Sequence, residues 1–186
     1  MSIEQLSSEI KGCAKCTGLN SGKFGTQNAP GYGNHHSEIV FIGQSLCGKP
    51  CIESQIPFTG GSGRLLDQVF ERAGVKKCDV YITNVVKCHP PKNRASFPYE
   101  IANCVPYLDQ ELALIKPKEI VCLGKDAWAY FRVPISSPCK RKIEIESMRF
   151  TVHFLYHPAY IVKKPKLFRE DYINGLVDII SQYNRN

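Results

Sequence analysis

Apolar positions along this chain follow two rhythms that take turns. Ile39-Val40-Phe41-Ile42-Gly43 and the stretch from Val80 to Val86 are short apolar runs of the kind a strand shows when both of its faces are buried. Glu119 to Gly124 is a third, and Met148 to Tyr156 alternates well enough for a fourth. Between them the spacing is helical. Leu65, Leu66, Val69, Phe70 and Ala73 share one side of a helix that Gly60-Gly61-Ser62-Gly63 opens and Gly74 stops. Pro98 to Ile115 predicts a second helix, with Pro98 in its first turn and Pro106 expected to kink it. Asp126 to Phe131 starts another, and Phe168 to Tyr183 reads as an amphipathic terminal helix. At the other end, Ser2-Ile3-Glu4-Gln5 has the capping-box pattern, predicting a short helix to about Ile10 that stops near Gly12. Strands alternating with helices imply an α/β fold with a parallel sheet covered on both faces. Thr17 to His36, rich in Gly, Asn and Ser, reads as a long loop wrapped over a site, and Gln44 to Phe58 as irregular.

Composition narrows this picture. A chain of 186 residues, 43% hydrophobic and 22% charged, suits one domain with a sizeable core. It has no apolar run long enough to span a bilayer, and Met1 to Glu9 carries acids and serines instead of a signal pattern. A cytoplasmic protein with no membrane partner is expected. In that compartment thiols stay reduced, so nine cysteines point to metal binding or catalysis before disulfides. The net charge of +7, with clusters at Lys140-Arg141-Lys142 and Lys163-Lys164-Pro165-Lys166, favours a polyanionic partner. Either cluster taken alone is equally an ordinary solvated face.

The candidate chemistry gathers where the second strand ends. Thr83-Asn84-Val85-Val86-Lys87-Cys88-His89-Pro90-Pro91 stops a buried run abruptly and hands polar groups to the carboxyl end of the sheet, where open α/β folds bind ligands. Cys13 and Cys16 have the C-x-x-C spacing that lets two thiolates reach one metal, and Cys88 and Cys104 supply a second pair. Four sulfurs suit tetrahedral zinc or an iron–sulfur cluster, and spacing does not choose between them. Cys47 and Cys51 read first as small apolar fillers, with further ligands or a redox pair as alternatives. Cys78, Cys122 and Cys139 stand alone, Cys122 inside the core.

Laid out in order, these segments resemble the iron–sulfur type, family 4, of the uracil-DNA glycosylase superfamily. The resemblance runs from Cys13 to Lys163. Its pieces are Cys13-x-x-Cys16, Pro30-Gly31-Tyr32-Gly33, Pro57-Phe58-Thr59-Gly60-Gly61-Ser62-Gly63-Arg64-Leu65-Leu66, Asn84 to Arg94, Glu100 to Leu108, and His157-Pro158-Ala159-Tyr160. It implies a three-layer sandwich around a four-stranded parallel sheet, with a 4Fe-4S cluster on Cys13, Cys16, Cys88 and Cys104. The partner it implies is DNA containing uracil or another deaminated base, bound by a monomer.

Such chemistry needs a base turned out of the helix, stacked on a ring and read along its edge. By resemblance Phe58 is the ring, and Asn84 the amide that matches the O4 and N3 edge of uracil. Gly43, Gln44 and Ser45 complete the base-binding side. His157 donates to O2 of the leaving uracil anion, an oxyanion-type role. Tyr160 and Ile161 lead an inserting tip flanked by Lys163 and Lys164, and Gly61 and Ser62 offer amides to a phosphate. Outside the family pattern, an aromatic before a turn is ordinarily core, and an Asn or His at a strand end is ordinarily a satisfied polar group.

The resemblance breaks at the first motif. Where the family has Gly-Glu-Ala-Pro-Gly, this chain reads Gly43-Gln44-Ser45-Leu46-Cys47, so the water-positioning acid is absent. Gln44 can hold water but cannot take its proton at neutral pH. The following loop is one residue longer and carries Cys47 and Cys51 where the family has acids, with Glu53 nearby. A weaker glycosylase, one with altered specificity for hypoxanthine or xanthine, or a damaged-DNA-binding module remain as alternatives. A covalently DNA-linked branch of the superfamily uses a His in an inserted basic loop. No such insert lies between Cys88 and Cys104, so His89 is not given that role.

Overall fold

The computed structural model describes residues 1–20, 27–132, 134, 136–145 and 148–182. Its frame is the set of parallel strands expected from the apolar runs: β2 (Ile39–Ser45), β3 (Tyr81–Val86), β4 (Glu119–Leu123) and β6 (Met148–Leu155). Two antiparallel edge strands that the pattern did not announce extend the sheet. These are the two-residue β1 (Tyr32–Gly33) against β3, and β5 (Cys139–Ile145) against β6, giving the order β1-β3-β2-β4-β6-β5. β5 carries Lys140-Arg141-Lys142 exposed to solvent, which blunts an edge otherwise open to pairing with another chain.

Period-two alternation sorts the core into two faces. Val40 and Ile42 of β2 pack with Tyr81, Ile120 and Val152 beneath α4 (Pro98–Ile115) and α5 (Lys125–Tyr130), whose Leu108, Leu112 and Trp128 join them. Ile39 and Phe41, pointing the other way, pack with Leu66, Val69 and Phe70 of α3 (Gly63–Arg72) and with Ile173, Leu176 and Ile180 of α7 (Lys166–Ser181). The result is a helix–sheet–helix sandwich. α4 runs from Pro98 to Ile115 as expected, with Pro106 inside it. The terminal helix, expected to run to Tyr183, ends at Ser181 with Gln182 as its C-cap, and residues 183–186 lie outside the described set. The segment from Gln44 to Phe58, read as irregular, contains a short helix, α2 (Lys49–Ser54), with Pro50 in its first turn.

The amino-terminal helix α1 (Ile3–Gly12) starts as the capping box predicts. The Ser2 hydroxyl accepts from the Gln5 amide at 3.3 Å, and the Gln5 side chain returns the bond to the Ser2 amide at 2.7 Å. Its apolar side, Ile3, Leu6 and Ile10, packs on Tyr107 of α4. Docking there carries Cys13 and Cys16 to the part of the sandwich that holds Cys88 and Cys104.

Connections leave β2 and β4 in opposite directions along the sheet, β2 leading through α3 to β3 and β4 leading on to β6. That divergence opens a crevice past the carboxyl ends of the two strands, the usual ligand position in such sheets. No helix among the described residues is long and apolar enough to cross a membrane.

Candidate active site

At that crevice lies a cleft of about 570 Å³. Gln44 and Ser45 at the end of β2, Phe58, the Gly60–Gly63 turn, Asn93, Arg94, His157 and Lys163 are among its walls. The structure therefore brings together most of the site residues expected from sequence.

Phe58 forms the floor. Its backbone is left-handed (φ 57°), a conformation that a bulky L-residue adopts only when its surroundings impose it. Two contacts to its carbonyl do so here. Gly63 approaches the Phe58 carbonyl so closely that any Cβ there would collide with it. The Lys77 ammonium donates to the same carbonyl at 3.0 Å, and Asp67 holds that ammonium at 2.7 Å. Gly60 and Gly61, with φ of 71° and 50°, complete the turn without steric cost.

Asn84 stands beside this ring. A Cβ on Gly43 would strike both Asn84 Oδ1 and the Phe58 ring, so the glycine is what lets amide and aromatic lie against one strand. Asn84 is 4% exposed, and its Oδ1 has no hydrogen-bond partner among the described residues. A buried polar atom left unpaired costs about 1–3 kcal/mol, so this oxygen is an acceptor awaiting a donor.

His157 follows β6 and caps the short helix α6 (Pro158–Ile161). Its Nδ1 accepts from the Ala159 amide at 3.1 Å, which puts the ring proton on Nε2. Its ring centroid is 5.8 Å from that of Phe58, and the planes tilt by 32°. Burial lowers its pKa below the usual imidazole value, favouring the neutral form. Phe58 thus has as neighbours an imidazole with an N–H to donate and, across Gly43, the unpaired amide oxygen of Asn84, which lies just behind the residues that line the cleft.

The tip after His157 differs from expectation in one residue. Tyr160 is 45% exposed and Lys163 is on the surface, but Ile161 is fully buried and packs in the core beneath α3 and α7. The one-turn helix α6 points Ile161 inward, and Val162, 39% exposed, takes the outward place. Lys164 lays its ammonium 4.1 Å over the Tyr160 ring. In the glycine turn, the amides of Gly63, Arg64 and Leu65 donate to the carbonyls of Gly60, Gly61 and Ser62. Among the described residues that leaves the amides of Gly60, Gly61 and Ser62 without a protein acceptor.

Among the described residues, no carboxylate lines the cleft. Glu53 points to solvent and pairs with Lys49 at 3.6 Å, so it does not replace the missing acid. Cys47 and Cys51, read first as fillers, are joined as a disulfide. Cys51 Sγ accepts from the Thr59 amide at 3.2 Å, which ties the pair to the residue after Phe58. His89 Nδ1 lies 3.0 Å from the Leu46 carbonyl and so serves the loop.

Behind Asn84 the structure adds a group that the pattern reading passed over. Lys87 and Glu111 are both buried and pair at 2.6 Å. The Lys87 ammonium also donates to the Asn84 carbonyl at 2.8 Å and to the Thr83 hydroxyl at 2.6 Å. Glu111 further accepts from the Gly31 amide at 3.0 Å and from the Tyr81 hydroxyl at 3.2 Å. The signal was present in sequence, since Glu111 stands three residues after Leu108 and four after Tyr107, on the apolar side of its helix.

The four cysteines share one buried region. Cys16, Cys88 and Cys104 are each less than a tenth exposed. Burial, and then the neighbouring thiols of Cys104, Cys13 and Cys16, push the Cys88 thiol up to about 12. The Lys87 backbone amide hydrogen-bonds Cys104, and Asn103 Nδ2 lies 3.4 Å from Cys16 Sγ. Among the described residues no three His, Cys, Asp or Glu side chains form a group fit to hold one metal ion. The donor set these cysteines offer is all sulfur, with Cys13 half-buried and the other three buried.

Comparison with known proteins agrees with this geometry. The sequence profile of the Uracil DNA glycosylase superfamily matches residues 30–179. A type-4 uracil-DNA glycosylase of Archaeoglobus fulgidus is 37% identical over 180 residues, covering 92% of this chain and 88% of that one. One from Pyrobaculum aerophilum is 33% identical over 177 residues, with 90% and 88% covered. Another, from Thermotoga maritima, is 33% identical over 165 residues, with 87% and 83% covered. Since the profile spans residues 30–179, from ahead of the glycine turn to beyond His157, and these relatives cover 87–92% of the sequence, the chain belongs to the uracil-DNA glycosylase superfamily, in its type-4 branch.

Proposed function

We propose that this chain is a monofunctional uracil-DNA glycosylase that acts as a single-domain monomer, hydrolysing the bond between a flipped uracil and its deoxyribose to leave an abasic site. The observation that carries the reading is the buried, partnerless Asn84 Oδ1 held near Phe58, with the His157 ring 5.8 Å from that of Phe58. An acceptor with no protein donor suits the N3–H of uracil, and the same amide's Nδ2 can donate to O4. Cytosine presents an acceptor at that ring position and would leave two acceptors facing each other.

In this mechanism the base stacks on Phe58 while the glycosidic bond breaks with its electron pair going to uracil. His157 donates its Nε2 proton as a hydrogen bond to the O2 that gains charge. Water then adds to the sugar carbon, and its proton passes to solvent. Gln44 holds that water through its amide without taking the proton. Gly61, Ser62, Tyr160, Lys163 and Lys164 grip the strand beside the slot.

The neutral Gln44 supports a second reading, a protein that binds uracil-bearing DNA with little turnover. An oligonucleotide panel separates the two. Protein loaded with its metal group is given single- and double-stranded DNA carrying uracil, hypoxanthine or xanthine. Release of uracil is expected, with Gln44→Glu raising the rate by about a hundredfold or more, the usual yield of a general base. Release of no base from any strand ends the glycosylase reading.

Cys13, Cys16, Cys88 and Cys104 would hold a 4Fe-4S cluster, a group that accepts a ligand set made of four cysteine thiolates. Bound there, it would supply folding free energy by joining the segment after α1 to the sheet. Cys104→Ala should lower the thermal midpoint by on the order of 10 °C, because binding energy for such a group is folding energy. The single-turnover rate of the molecules that fold should change little. A normal midpoint with a large loss in that rate would contradict this role.

A further inference from the structure

Beside the slot lies a flat patch for which the proposed reaction has no use. Arg94, a wall residue of the cleft, forks onto Glu100, with Nη1 2.9 Å from Oε2 and Nη2 2.6 Å from Oε1. Glu100 is fully buried and also accepts from the Phe97 amide at 2.7 Å. The Arg94 guanidinium lies 3.9 Å from the centroid of the Phe97 ring. The rings of Phe97 and Tyr99 stack 5.9 Å apart with planes only 20° from parallel.

These two rings are 45% and 47% exposed. Side chains of that size normally go to the core, and a neighbouring exposed pair is surface kept clear for contact. The patch is also held in advance, since one buried carboxylate fixes both the guanidinium and the start of α4. The same carboxylate offsets Arg94's charge, so the patch offers a planar face more than a phosphate clamp. A nucleobase is the flat partner that such a face fits. Bases within a duplex have both faces covered by their neighbours, so only an unpaired base can lie on it. The exposed cations Lys92 and Lys163 and the net charge of +7 attract the backbone of that strand.

We propose that Arg94, Phe97 and Tyr99 form a stacking platform for an unpaired base of single-stranded DNA, next in line to the nucleotide held in the slot. This rests on the reading of DNA as the substrate. The platform gives the protein a preference for single strands over duplex that the base-reading slot alone does not provide.

The test uses full-length protein and uracil-free DNA, so that it stands apart from catalysis. Binding of a labelled single-stranded oligothymidine and of a blunt duplex is measured by anisotropy for wild type and for the double substitution Phe97→Ala, Tyr99→Ala. Stacking losses of the usual size predict single-strand affinity at least about tenfold weaker. No charge is removed, so duplex affinity should stay within about twofold and the salt dependence should keep its slope. A 2-aminopurine in the strand should be quenched by wild type and not by the variant, while Tyr99→Phe keeps the quenching. If the double variant melts early, Tyr99→Ala alone serves, its ring being on the surface. Unchanged single-strand binding, or equal losses for both DNAs, overturns the platform. Binding that persists as expected in a wild type that excises no uracil would sink the proposed reaction and leave the platform standing.

Discussion

Replacing Lys87 with methionine should destabilise the protein by about 3–5 kcal/mol, because it strands the Glu111 carboxylate in the core without its cation. Methionine fills nearly the same volume, so the loss measures charge and hydrogen bonding instead of a cavity. Besides Glu111, the Thr83 hydroxyl and the Asn84 carbonyl lose the donor they share. Chemical denaturation would show the effect as a lower midpoint with unchanged slope. Adding Glu111→Leu should recover part of the loss, since two apolar groups can replace a buried pair at little net cost. A single variant within about 1 kcal/mol of wild type would mean that water reaches Glu111 in solution.

His157→Ala should reduce the single-turnover rate of uracil release about 10²- to 10³-fold, the usual effect of removing one donor to a developing oxyanion. Base affinity should change far less, because Phe58 and Asn84 remain. The pH dependence follows from the direction of the shift. Burial lowers the pKa of His157, so its neutral Nε2–H form persists below the ordinary value of about 6.5. Wild-type rates should stay level from pH 8 through that value and fall only in more acid solution. In the unfolded chain the same imidazole takes its proton nearer 6.5, so its contribution to stability is whole above that pH and shrinks as the pH drops below it. A rate that already declines on the alkaline side of 6.5 would rule out this assignment.

Much of this architecture was legible because apolar rhythm and sheet burial are the same physical fact. The four parallel strands were fixed by runs such as Ile39–Gly43, where no residue could face water on either side. The edge strands escaped notice for the opposite reason. β5 mixes Lys140, Arg141 and Lys142 with Ile143 and Ile145, as a strand open to solvent does, and β1 is only two residues long. Phe58, Asn84 and His157 come from three distant segments, and only the family resemblance joined them before coordinates did. Ile161 was misplaced because a one-turn helix reverses the direction that an extended tip would give it. The Lys87–Glu111 pair was missed because two charges, one closing an apolar strand and one on an apolar helix side, were not read as partners. The Cys47–Cys51 bond was ranked below packing because no neighbouring ligand completed a site.

The left-handed backbone at Phe58 has an implication for how the protein is to be understood. Conformations of that kind cost a non-glycine residue about 1–3 kcal/mol, and glycine adopts them freely. A chain selected for durability alone would therefore tend to lose the aromatic at this position. Its worth must show in what the enzyme grips, and calorimetry of the empty molecule would undervalue it.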